Sequence, residues 1–79
     1  KNWKKHLITN EEAEQIFFNE PLKVFEDLHH SKTEKRLVAY GSTDEERLLT
    51  VVFTLRQGKI RVISARNQSK KERKYYEKI

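Results

Sequence analysis

Cysteine and methionine are both absent from the 79 residues, and there is one proline, one tryptophan and only two glycines. Without cysteine, neither a disulfide nor a thiolate metal site can brace the fold. No apolar run approaches the ~20 residues that a bilayer-spanning helix needs, and no stretch reads as a signal peptide. There are no repeats, no low-complexity tract and no linker that would mark a second domain. Residues 1–79 are therefore expected to form one small domain with little stability to spare. The lack of a methionine at position 1 leads to the expectation that the natural chain begins earlier and is trimmed here. Stability has to come from the apolar runs 48–55 and 60–63, from the aromatics, and from any partner.

What the chain does have is positive charge. Seventeen Lys and Arg against twelve Asp and Glu give +5 at neutral pH and a pI near 9.6. Such a balance favours polyanionic partners. More than half of the basic residues lie between Arg56 and Lys78, where Glu72 and Glu77 are the only acids. That is either the footprint of a nucleic-acid surface or a solvated helix face.

The order of elements can be read from local signals. Lys1 to Lys5 reads as the tail of a helix. Thr9 and Glu12 have the spacing of a capping box, with Ile8 and Ala13 placed as a hydrophobic staple. Ala13, Ile16 and Phe17 share a helical face, and Asn19-Glu20-Pro21 ends the helix. Lys23–Leu28 and Arg36–Gly41 read as strands, separated by a polar loop that contains His29 and His30. Leu48–Leu55 is the strongest strand, apolar on both faces and so expected to be central. Gln57-Gly58 links it to a strand over Lys59–Ala65, with glycine supplying a positive φ. Ser69 and Glu72 repeat the capping box and open a last helix. The expectation is an α+β fold of order helix, four strands, helix, with an antiparallel four-stranded meander and helices packed on it. Phe17, Phe18, Phe25 and Phe53 are expected in the core.

Several residues together resemble a known family. They are Lys5-His6, Glu12-Ala13, Phe17, Glu34-x-Arg36, Gly41, Val51-Val52, Arg61-Val62-Ile63-Ser64-Ala65-Arg66, Glu72-Arg73 and Tyr76. The pattern is similar to the BrnT family, ribonuclease toxins of type II toxin–antitoxin pairs with a RelE-like fold. Its most specific part is Arg-hydrophobic-Ile-Ser-Ala-Arg followed by Glu-Arg-x-x-Tyr. Relative to the family, an N-terminal strand is expected to be missing, Leu7 stands in place of a glycine and Asn10 in place of a phenylalanine. The resemblance implies a bacterial cytoplasmic protein without a cofactor, RNA as substrate, inhibited translation and growth, and neutralisation by a BrnA-like antitoxin. Two routes to a dimer are open, through a sheet edge or through the antitoxin.

Metal-independent RNA cleavage needs a base for the 2′-OH, cations for the phosphate and an acid for the leaving 5′-oxygen. Arg66, Arg61 and Arg36 are the phosphate candidates, because a guanidinium fork matches phosphate oxygens. Arg66 and Arg61 differ in parity and share a face only if the strand ends or bulges between them. Otherwise Arg61 pairs with Glu26 or Glu34, Arg36 with Glu34, and Arg66 bonds the adjoining turn. His6 is the preferred general acid or base, the alternative being a helix cap. Glu72 either caps its helix or takes part in catalysis. Arg73, Tyr76, Lys70 and Lys71 form the expected RNA-binding set, with Tyr76 either stacking on a base or packing on the sheet, and Tyr75 either exposed or in an antitoxin contact. His29 and His30 read as solvated loop residues, and no histidine has metal-ligand spacing. The competing reading is a non-catalytic basic module that binds nucleic acid or an acidic protein.

Overall fold

The computed structural model describes residues 8–28 and 34–78. The Lys5-His6 pair, the helix tail at Lys1–Lys5 and the loop histidines His29 and His30 lie outside the described residues. Thr9 caps helix α1 (Asn10–Gln15), with both hydrogen bonds of the capping box in place. The chain tightens into a 3₁₀ turn (Ile16–Phe18) and passes Pro21 to strand β1 (Lys23–Glu26). Strands β2 (Leu37–Ser42), β3 (Leu48–Arg56) and β4 (Lys59–Asn67) follow, then helix α2 (Lys70–Glu77) capped by Ser69. The four strands form one antiparallel sheet in chain order, β1-β2-β3-β4. This is the expected α+β meander. The hairpin into β4 turns on Gln57 and Gly58, both with positive φ, so the non-glycine Gln57 shares the left-handed conformation with its neighbour.

One face of the sheet is the core. Strand alternation puts Leu37, Ala39 and Gly41 on it from β2, and Leu49, Val51 and Phe53 from β3. Ala13 and Ile16 from the helical segment close over them, and Phe17 meets Phe53 edge to face at 5.0 Å. Gly41 is required by this contact, because a Cβ there would lie 2.7 Å from the Cβ of Ile16. Two of the four phenylalanines leave the expected core. Phe18, at the end of the 3₁₀ turn, is 85% exposed, and Phe25 is 39% exposed because its parity puts it on the other face.

The helices divide their work rather than both covering one face. Helix α1 and its 3₁₀ turn pack on the core side. Helix α2 sits at the end of the sheet, where the Tyr76 hydroxyl donates to the Pro21 carbonyl at 2.6 Å. Glu72 accepts from the hydroxyl of Thr50, a residue whose alternation points it away from the core. The second sheet face is thus left uncovered by helix among the described residues, and α2 forms a rim at one end of it.

A β-bulge sets which residues reach that open face. Val52 pairs with Ser64, but Phe53 pairs with Val62, so Ile63 is an extra residue in β4. The bulge keeps Val62 and Ala65 beside the core despite their odd separation.

The Gly41 contact yields a stability test. Gly41→Ala overpacks the interface with Ile16 and is expected to lower unfolding stability by about 1–3 kcal/mol, read from a urea midpoint. A loss within ~0.5 kcal/mol would show that the 3₁₀ turn can move off the sheet freely.

Candidate functional site

The register arranges the open face in rows. Tyr40, Thr50 and Arg66 lie side by side across β2, β3 and β4, followed by Val38, Val52 and Ser64. The next row has Thr54 opposite Arg61, and Arg36 falls beside Thr54 when the β2–β3 register is continued by one residue. Beyond it Arg56 pairs with Lys59, and Glu34 binds Arg56 through Nε at 2.8 Å and Nη2 at 3.3 Å. The face therefore has a cation row at each end and an apolar floor of Val38 and Val52 between them. On regular strand geometry the Thr50 and Thr54 rows lie ~14 Å apart.

The bulge at Ile63 makes this grouping possible. In a regular strand Arg61 and Arg66, five residues apart, would point to opposite faces. The extra residue restores their parity, so both stand on the face away from the core. Of the two expectations for this pair, the bulged strand is the one observed.

Arg66 is held by Glu72 in a two-point pair, Nη1 to Oε1 and Nη2 to Oε2, each 2.7 Å. Its Nη1 also donates to the Asn67 carbonyl at 3.2 Å. Its Nε–H makes no hydrogen bond among the described residues, and the side chain is 59% exposed. Glu72 Oε1 accepts in addition from Thr50 Oγ1 at 2.9 Å and from the Ser69 amide at 2.8 Å. Arg66 above all, then the Ser69 amide and the Thr50 hydroxyl, lower its pKa to about 2 against the opposing effect of burial. Such a carboxylate is ionised at neutral pH and a weak base. It both caps α2 and orients Arg66, which makes it a positioning group. Burial, followed by the charge of Glu72, raises the Tyr40 phenol pKa, so that hydroxyl stays protonated and can donate.

At the far row, Arg56 depresses the pKa of Glu34 through its hydrogen bond, and the charges of Arg61 and Arg36 add to that effect. One carboxylate thus faces Arg56 of β3, Arg61 of β4 and Arg36, the residue before β2. Glu34 makes a hydrogen-bonded ion pair with Arg56, and Arg61 and Arg36 act on it through their charges. Arg61 itself makes no side-chain hydrogen bond among the described residues.

The tyrosines of α2 split. Tyr76 is buried and tied to Pro21, the packing alternative. Tyr75 is half exposed, meets Tyr40 edge to face at 6.1 Å and carries Lys23 Nζ 5.7 Å over its ring. Tyr40 in turn meets Phe25 at 5.1 Å. Lys70, Lys71 and Arg73 are exposed on α2, with Lys71 one turn before Tyr75. Among the described residues no group of three or more His, Asp or Glu side chains could hold a metal ion. Sequence reasoning did not single out Tyr40, Thr50 or Phe25. Thr50 was visible as a polar residue inside the most apolar strand, and Tyr40 as sharing parity with Arg36.

The Glu72 pair has a pH signature. Its folded pKa is depressed, so its contribution is complete above the ordinary value of 4.5 and is lost as pH falls towards about 2. Glu72→Gln is expected to cost about 1.5–3 kcal/mol at pH 7, with the gap to the parent closing across that acid window in urea unfolding. A gap that stays constant with pH would remove Glu72 as the source.

A family model described as "Ribonuclease toxin, BrnT, of type II toxin-antitoxin system" matches residues 1–72. Neither the curated proteins nor the solved structures contain a match to this chain. No helix among the described residues is long and apolar enough to cross a membrane.

Proposed function

We propose that this chain, which belongs to the BrnT family of type II toxin–antitoxin ribonuclease toxins, is a metal-independent endoribonuclease that binds RNA on its open sheet face. The observation that carries the reading is the bulge at Ile63, which gathers Arg61 with Arg66 on a face that no described helix covers.

In this reading Arg66 receives the scissile phosphate. Glu72 holds its fork in one orientation, so little rearrangement is needed as charge builds on the phosphate oxygens. The Tyr40 hydroxyl is a further donor towards the same oxygens. Arg61 and Arg36 take a neighbouring phosphate at the far row, and Lys70, Lys71 and Arg73 extend the positive field along α2. The 2′-oxygen attacks phosphorus, its proton goes to a base, and the 5′-oxygen leaves with a proton from an acid. The products are a 2′,3′-cyclic phosphate and a 5′-hydroxyl. Glu72, with its pKa near 2, is a poor base. His6 is the residue we assign to proton transfer. Cutting of cellular RNA in the cytoplasm would stop translation and growth, and a cognate BrnA-like antitoxin would neutralise the toxin by masking the same face.

A second reading, a binding module without catalysis, is favoured by one specific observation. The carboxylate bound to Arg66, Glu72, has its pKa lowered to about 2 and is a poor acceptor for the 2′-OH proton. One assay separates the two. A defined RNA incubated with the protein in EDTA should be cut, and Arg66→Ala should lower the rate about 10²–10³-fold. Intact RNA with the parent protein would leave the binding module, and equal cutting by the variant would remove Arg66 from the site.

Salt dependence tests the far row. Arg61→Ala should reduce the slope of log affinity against log salt for single-stranded RNA by about 0.7, the value for one lost phosphate contact. An unchanged slope would take Arg61 off the phosphate path.

A further inference from the structure

The open face has a feature that phosphate binding does not use. Beside the Arg66–Glu72 pair lies a groove of about 450 Å³, whose lining joins Phe25, Val38 and Val52 to Arg66 and to the carboxylates of Glu26 and Asp27. This is within the ~300–1,000 Å³ range of small-ligand sites. Its floor is apolar, and one wall is aromatic. Phe25, Tyr40 and Tyr75 form a continuous edge-to-face chain from β1 across β2 to α2.

Phe25 is the unusual member. It lies on an edge strand, 39% exposed, and its side chain takes no part in the buried core. A phenylalanine that served only to fold this domain would be on the core face. Alternation puts it instead on the face of Val38 and the arginines. On the floor of this groove water would face an aromatic ring and two valines, which it hydrates poorly, although Glu26 and Asp27 also line it. Arg66 attracts an anion at one end, the carboxylates of Glu26 and Asp27 can accept from N–H donors, and the floor suits a flat apolar surface. A nucleotide chain has this pattern, with charged phosphates joined through uncharged rings.

We infer that the groove beside Arg66 receives one unpaired nucleobase stacked against Phe25, with a flanking phosphate on Arg66 and the chain running on towards the Arg36–Arg61 row, so that the substrate is single-stranded where it is held. This rests on the open face being the RNA site and adds the strandedness of the substrate and the residue that selects it. A base paired inside a helix cannot enter, because its faces are already stacked on its neighbours and its edge on its partner. Phe25 is a binding residue in this arrangement. Tyr40 buttresses it, and Tyr75 continues the aromatic wall towards α2.

The test uses the full chain and an RNA that cannot be cut. The probe is an all-2′-O-methyl octamer with one central 2-aminopurine, free or annealed to its complement, at low salt. Quenching of the 2-aminopurine on binding is expected, with the single strand bound at least ~10-fold tighter than the duplex. Phe25→Ala should abolish the quenching and weaken binding about 5- to 100-fold, the range for one lost base stack. Phe25→Leu, which keeps an apolar side chain on Val38, should lose the quenching too, and Phe25→Trp should retain it. Equal affinity for duplex and single strand, or quenching that persists in a folded Phe25→Leu protein, would overturn the inference. Parallel incubation of the unmodified RNA in EDTA separates the two claims. Cutting that is indifferent to Phe25 sinks the base groove alone. Quenching by Phe25 without any cutting sinks the nuclease reading and leaves the groove.

Discussion

The Glu72 carboxylate ties together three parts of the molecule at one end of the sheet. It closes the capping box of α2, accepts the hydroxyl of Thr50 in β3, and grips the guanidinium of Arg66 at the end of β4. All three are hydrogen bonds to an ionised acceptor, the stronger class. Helix α2 is only eight residues long, too short to be stable in isolation. It persists because Glu72 anchors its start and Tyr76 anchors its end through Pro21. The open face inherits its rim from this arrangement. Without it, Arg66 would be one more mobile surface arginine.

The bulge at Ile63 is the second constraint, and it acts on a different scale. Glu72 orients one side chain, whereas the bulge decides which face half of β4 presents. Val62 and Ala65 have to stay by the core, and Arg61 and Arg66 have to stay out of it. A regular strand cannot meet both demands, because its parity is fixed at two residues. One inserted residue satisfies both. The same local irregularity thus fills the core and assembles the cation rows, so packing and site are not separable in this strand.

The rest of the open face follows from what the core side leaves over. Helix α1 is held to the sheet by Ile16 against Gly41, and its cap is linked to the loop before β3 by the Arg47–Glu12 pair. Gln68 donates to the carbonyls of Gly41 and Leu49 and pins the exit of β4 across two neighbouring strands. These contacts fix the covered side firmly. The other side of the same strands carries Tyr40, Thr50 and Val52, residues compatible with a sheet yet half polar. The small core therefore occupies one face, and no described helix covers the second.

Much of the architecture was legible in the residues themselves. The two capping boxes, the stop before Pro21, the Gln57-Gly58 hairpin and the apolar run of β3 are local signals, each acting over a few neighbours. They determine element type and order before any packing occurs. They also pointed to Arg66, Arg61 and Arg36 as a group, by charge and by the pattern shared with the family. Other placements depended on contacts between residues far apart in the chain. That Tyr76 packs under Pro21 while Tyr75 meets Tyr40 depends on how α2 docks, a choice between two adjacent helix positions that periodicity leaves open. That Phe25 stands outside the core depends on the register of β1 against β2. That Arg61 joins Arg66 depends on one extra residue in a strand whose sequence, Val62-Ile63-Ser64-Ala65, has no glycine to announce a bulge. Charge and capping are properties of the chain, but which face a charge occupies was decided only when the sheet closed on its core.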